Sequence, residues 1–92
     1  MEQEKLDRLA NILIESEFTC MPRGTFNTKE IYEVVKKNYP EFCNDDFLCI
    51  DHCKGGGNQP EWQHRVRGVL HNLKNKSDRV RKSGNHGEWD FI

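Results

Sequence analysis

Four cysteines and four histidines are the residues of this 92-residue chain best suited to chemistry. Three of the cysteines fall close together, and Cys43-x5-Cys49-x2-His52-Cys53 gathers four soft ligands into 11 residues. Zinc takes four Cys or His ligands in a tetrahedron, and loops of this kind are stapled by it. Cys43, Cys49, Cys53 and His52 therefore form a candidate metal set, with zinc as the candidate cofactor. The closely spaced Cys pairs of most zinc loops are missing. His52 and Cys53 are adjacent, which makes joint ligation awkward, so Cys20, His64 or another side chain is a candidate for the fourth position. The competing reading is reduced, partly buried thiols, since disulfides are rare inside cells.

The histidines, His52, His64, His71 and His86, raise a second chemistry: acid–base or metal-dependent hydrolysis. His64 and His71 are seven residues apart, two turns along one helix face. No H-E-x-x-H, nucleophile elbow or P-loop accompanies them, and no stretch completes a His-Asn-His nuclease motif. A domain of this size buries only about 60–65% of its unfolded surface. That leaves room for one modest core and none for a deep cleft. The histidines are read as polar contacts, and no enzymatic activity is expected.

Charge says more. The net charge is −1, with 32% charged and 35% apolar residues. Acids outnumber bases by four over residues 1–60, and bases outnumber acids by three over residues 61–92. Between Arg65 and Lys82 stand seven bases and one acid, Asp78. Asymmetry of this kind suggests an anionic partner for one face; the plainer reading is a solvated basic helix face. Residues 1–17 are rich in acids and carry no secretory pattern, and no apolar run approaches the roughly 20 residues of a membrane span. No membrane partner is expected, and the expected compartment is the cytoplasm.

The elements that must position these groups follow from periodicity. Leu6, Leu9, Ala10 and Leu13 recur at helical spacing and predict a helix over Glu2–Glu17. Phe18 to Gly24 breaks it. A second helix starts at Asn27 or Thr28, with Asn27 and Glu30 at capping-box spacing, buries Ile31, Val34 and Val35, and ends at Tyr39–Pro40. A cysteine-containing connector with Phe42, Phe47, Leu48 and Ile50 follows, closing on Gly55-Gly56-Gly57. The third helix is expected to be capped by Asn58 or Gln59, with Pro60 in its first turn. It buries Trp62, Val66, Val69, Leu70 and Leu73, and turns His64, Arg67, Gly68, His71 and Asn75 outward. Gln63 and Lys74 border Arg67; Arg65, Asn72 and Lys76 lie on the other edge. The tail predicts a hairpin, with Val80, Trp89 and Phe91 toward the core and Arg79, Arg81 and Lys82 toward solvent or a partner.

The stretch from Gly57 to Leu70 resembles the third-helix signature of winged-helix modules attached to bacterial restriction endonucleases. The likeness is carried by the Pro60-Glu61-Trp62 opening, the His64 and Arg65 pair and Leu70-His71-Asn72-Leu73-Lys74. The Gly84 to Phe91 ending with its Trp89 is similar to their wing, and the resemblance spans roughly residues 25–92. It implies a module that helps hold DNA near a separate nuclease domain, for which this chain has no room. Asn75-Lys76-Ser77-Asp78 stands where such modules carry a Lys-Gly turn.

The expected architecture is therefore α+β, mainly α: a winged helix-turn-helix of three helices plus a C-terminal β-hairpin wing in a single domain, residues 1–92. Residues 1–24 form the first helix and turn, 25–77 the second helix, connector and recognition helix, and 78–92 the wing. The expected function is duplex DNA binding by a restriction-associated or mobile-element protein, through helix 60–74 and the 79–91 wing. Gln63, His64, Arg65, Arg67, His71, Lys74, Lys76, Arg79, Arg81 and Lys82 are the candidate contacts. Arg67 is the first choice for a base contact. The alternative is a protein-interaction or inhibitor module that uses the same surface against a nuclease or other protein partner.

Overall fold

The computed structural model describes residues 2–48 and 59–92. Its first helix, α1, runs from Glu2 to Ser16 and buries Leu6, Leu9 and Leu13. Their spacing puts all three on one stripe, while Ala10 and Ile14 pack at its margin. Glu2 and Glu4 in the first turn complement the helix dipole. The helix stops abruptly because Glu17 and Phe18 take left-handed backbone angles, φ 52° and 57°, a conformation costly for residues with a Cβ. Two contacts hold the turn. Phe18 is fully buried in the core, and the Glu17 carboxylate accepts a hydrogen bond from Ser77 Oγ at 2.7 Å.

Strand β1, Gly24–Asn27, comes next. The sequence reading held no strand here. Three of its four residues are exposed and only Phe26 is half-buried, so no apolar alternation marks it. Gly24 has φ +134°, open to glycine and strained for other residues.

Helix α2, Thr28–Asn38, begins with the expected capping box. Glu30 N donates to Asn27 Oδ1 at 2.8 Å, and Asn27 N donates back to Glu30 Oε1 at 3.1 Å. Ile31 and Val35 are buried, and Val34 is half-buried against the core. The helix ends at Tyr39, just before Pro40. A single 3₁₀ turn, Pro40–Phe42, then leads back toward the start of α3. There Leu48 bridges to Pro60, and Glu61 N donates to Phe47 O at 2.8 Å.

Helix α3, Glu61–Leu73, buries the five residues expected of it: Trp62, Val66, Val69, Leu70 and Leu73. Its cap differs from expectation. Pro60 itself is the N-cap, with extended ψ of 139° and no side-chain hydrogen bond. The Phe47 carbonyl takes over part of the capping, so the connector does what Asn58 or Gln59 was expected to do.

The hairpin pairs β2, Val80–Lys82, with β3, Glu88–Phe91. Val80 stands opposite Phe91 and Lys82 opposite Trp89. Strand β1 pairs along the other edge of β3, antiparallel, with Gly24 opposite Phe91 and Phe26 opposite Trp89. The sheet is thus β1-β3-β2, three strands where the sequence reading held two. Among the described residues the chain is α+β and mainly helical. One core joins the α1 stripe, Phe18, Met21, the inner face of α3, Val80, Trp89 and Phe91. Trp62 seals its far side: 2% exposed, it meets Tyr32 edge-on at 5.6 Å. Its Nε1 donates to Asp45 Oδ1 at 2.9 Å. No described helix is long and apolar enough to cross a membrane.

Candidate nucleic-acid interface

Helix α3 presents two flanks around its outward face, and they differ in chemistry. The first carries Arg67, His71 and Lys74 and meets the hairpin. His71 lies edge-on to Trp89 with ring centroids 5.0 Å apart. Lys82 covers the same indole, its Nζ 5.2 Å from the ring centroid, a favourable cation–π placement. The ammonium is fixed further by donating to Asn85 O at 3.1 Å and Glu88 O at 3.2 Å. Trp89 is thus the hinge pin between helix and hairpin. Burial, then the charges of Lys74, Lys82 and Arg67, hold His71 below the usual histidine range. Arg67, Lys74 and Lys82 thus bring three cations around His71 from two elements distant in sequence.

Arg67 is half-buried, and its guanidinium donates to Gln59 Oε1 at 2.7 Å. Gln59 also donates to Gln63 Oε1 at 3.2 Å. A polar chain therefore orients the arginine, and Gln59 was missed in the sequence because it reads only as a pre-helix residue. Lys74 and Lys76 are exposed at the end of α3.

Three candidates stand differently from expectation. Arg65 was expected on the same positive surface. It instead turns to α1, donating to Asp7 Oδ1 at 2.5 Å and Gln3 Oε1 at 2.7 Å, with Glu61 3.8 Å away. Its charge is neutralised inside the fold. Arg81 alternates away from Lys82, so it lies on the outer sheet face opposite Asp90, whose carboxylate accepts from Thr25 Oγ1 at 2.6 Å. Arg79 is half-buried just before β2; its backbone N–H donates to Ser77 Oγ at 3.0 Å.

The second flank is an open groove of about 570 Å³ between α1 and α3. Ala10, Ile14, Val69 and Phe47 make it largely apolar, His64 and Asn72 line it from α3, and Leu48 stands 40% exposed at its edge. Gly68 lines it too, and a Cβ added there would meet nothing within 4 Å. Glycine in a helix interior costs about 1 kcal/mol relative to alanine.

Of the cysteine set, Cys49, His52 and Cys53 lie outside the described residues. Cys43 is buried, and its thiol donates to Tyr39 O at 3.4 Å. Burial, with Asp45 adding to it, pushes that thiol up to about 12. Cys20 is half-buried and also shifted upward by burial. Burial thus favours the thiol over the thiolate at both. Among the described residues, no group of three or more His, Cys, Asp or Glu side chains is placed to hold a metal ion.

No family model matches the chain, no curated protein matches it in sequence, and no solved structure matches its fold.

Proposed function

We propose that the chain is a winged-helix module that binds duplex DNA, with α3 in the major groove and the β2–β3 hairpin as the wing. The element order α1-β1-α2-α3-β2-β3 and the sheet order β1-β3-β2 support that reading. So does the width of the major groove, which admits one helix. The observation that carries it is the Trp89 junction. His71 and Lys82 meet on one indole, which brings the wing's Lys82 beside the Lys74 and Arg67 charges of α3. Lys74 and Lys82 serve phosphates, and the Gln59-oriented Arg67 serves a base edge. By the sequence resemblance, the module holds DNA for a nuclease carried on another domain or chain.

A titration of duplex DNA by fluorescence anisotropy tests this directly. Wild type should bind at low salt, and the Lys74→Ala/Lys82→Ala double variant should bind weakly on every sequence. Failure of wild type to bind any duplex at low salt would overturn the proposal. One observation favours a second reading, protein interaction: the apolar α1–α3 groove with its exposed Leu48. Leu48→Glu separates the two. It should abolish capture of a protein partner and leave duplex binding intact.

A further inference from the structure

Three polar side chains around the start of α3 are hydrogen-bonded to one another in a fixed direction. Arg67 Nη2 donates to Gln59 Oε1 at 2.7 Å, and Gln59 Nε2 donates to Gln63 Oε1 at 3.2 Å. A guanidinium has only donors, so Gln59 must give it the oxygen of its amide. The nitrogen of that amide then faces Gln63, and Gln63 must answer with its own oxygen. The chemistry of Arg67 thereby sets both amide orientations. One group is left over: Nε2 of the half-buried Gln63, which donates to no described residue.

Gln63 stands on the flank given to the duplex. At about 100° per residue it lies about 40° from Arg67, about 20° from Lys74 and about 80° from His71 around α3. An amide nitrogen on that flank asks for an acceptor. In the major groove guanine offers two acceptors, O6 and N7; adenine pairs its N7 acceptor with the N6 donor, and cytosine offers only a donor. A glutamine free to present both amide atoms suits adenine. One whose oxygen is tied to Gln59 presents its donor. Resting on the DNA-binding reading, we propose that Gln63 is a specificity-determining contact for guanine, and that Gln59 is the positioning residue that makes it a donor. The relay commits the Gln63 oxygen before a duplex arrives, so discrimination against adenine comes from the amide behind the contact.

The test uses a duplex that wild type selects from a random library, and measures affinity ratios between versions of it that differ at one base pair. A ratio is unaffected by the fraction of chain folded and by the charge that Gln63→Glu adds. At the base pair whose preference Gln63→Ala erases, wild type should favour guanine by about tenfold, the size of one good base contact. Gln63→Glu keeps the oxygen that Gln59 meets and exchanges the outward donor for an acceptor, so the preference there should pass to cytosine. Gln59→Leu releases the Gln63 amide, so adenine should gain on guanine at the same base pair. A Gln63→Ala chain that keeps every wild-type preference would overturn the inference while leaving DNA binding intact. So would a wild-type preference there for another base, a guanine preference that survives Gln63→Glu, or a rejection of adenine that survives Gln59→Leu. If wild type binds no duplex at low salt, the DNA-binding reading falls and this inference with it.

Discussion

Burial and three neighbouring cations lower the pKa of His71, and a polyanion would oppose the cations' part in that shift. Its folded pKa lies below the ordinary value of 6.5. In the free chain the group therefore favours folding above about pH 6.5, and that contribution fades as the pH falls through the folded value. A phosphate brought among Arg67, Lys74 and Lys82 raises the same pKa, so binding takes up a proton and affinity rises on acidification. Duplex titrations between about pH 8 and 5.5 should show that rise in wild type and a flat profile in His71→Gln. A rise that persists in His71→Gln would place the titrating group elsewhere. The two arginines two residues apart separate just as sharply. Arg67→Ala should relax base preference by about 1–3 kcal/mol at one position. Arg65→Ala should leave DNA binding unchanged and cost at most about 1 kcal/mol of stability, because its partner Asp7 is mostly exposed. A helix wheel already turned His71 and Arg67 outward. It could not show that Arg65 pairs with a carboxylate 58 residues earlier, since that depends on how α1 crosses α3.

At the scale of elements, the helices were legible because each carries an apolar stripe, and the first two a stop signal as well. The α2 capping box was legible in full, and Asn27→Ala should cost about 1 kcal/mol, lowering the melting temperature by about 4–8 °C. Trp62 anchors α3 through its burial and its bond to Asp45, whose other oxygen meets Lys36. Trp62→Ala should cost about 3–5 kcal/mol, a large part of a small domain's stability; denaturant unfolding measures it. Strand β1 was not legible. Its pairing with β3 rests on backbone hydrogen bonds and on Phe26, whose ring lies 6.2 Å from that of Phe91, and a mostly exposed four-residue strand leaves no periodic trace. The start of α3 was misread for a related reason. Its cap is a tertiary contact from Phe47, which local sequence does not encode.

Charge is unevenly distributed along the sequence. Acids dominate the first 60 residues, and one of them, Asp7, withdraws Arg65 from the basic region. What remains positive is the far flank of α3 and the hairpin, joined at Trp89. The charge count could not show which cations stand together, because that depends on the packing that brings residue 71 against residue 89. On the proposed DNA-binding reading, phosphate neutralisation would release counterions, which gives the proposal its most direct test: duplex affinity measured across salt concentration. With two to three phosphates contacted, log K should fall against log salt with a slope of about −2 to −3, and Lys82→Ala should flatten it by about one unit. A slope near zero, or a slope unchanged by Lys82→Ala, would contradict a phosphate-binding surface formed by α3 and the hairpin.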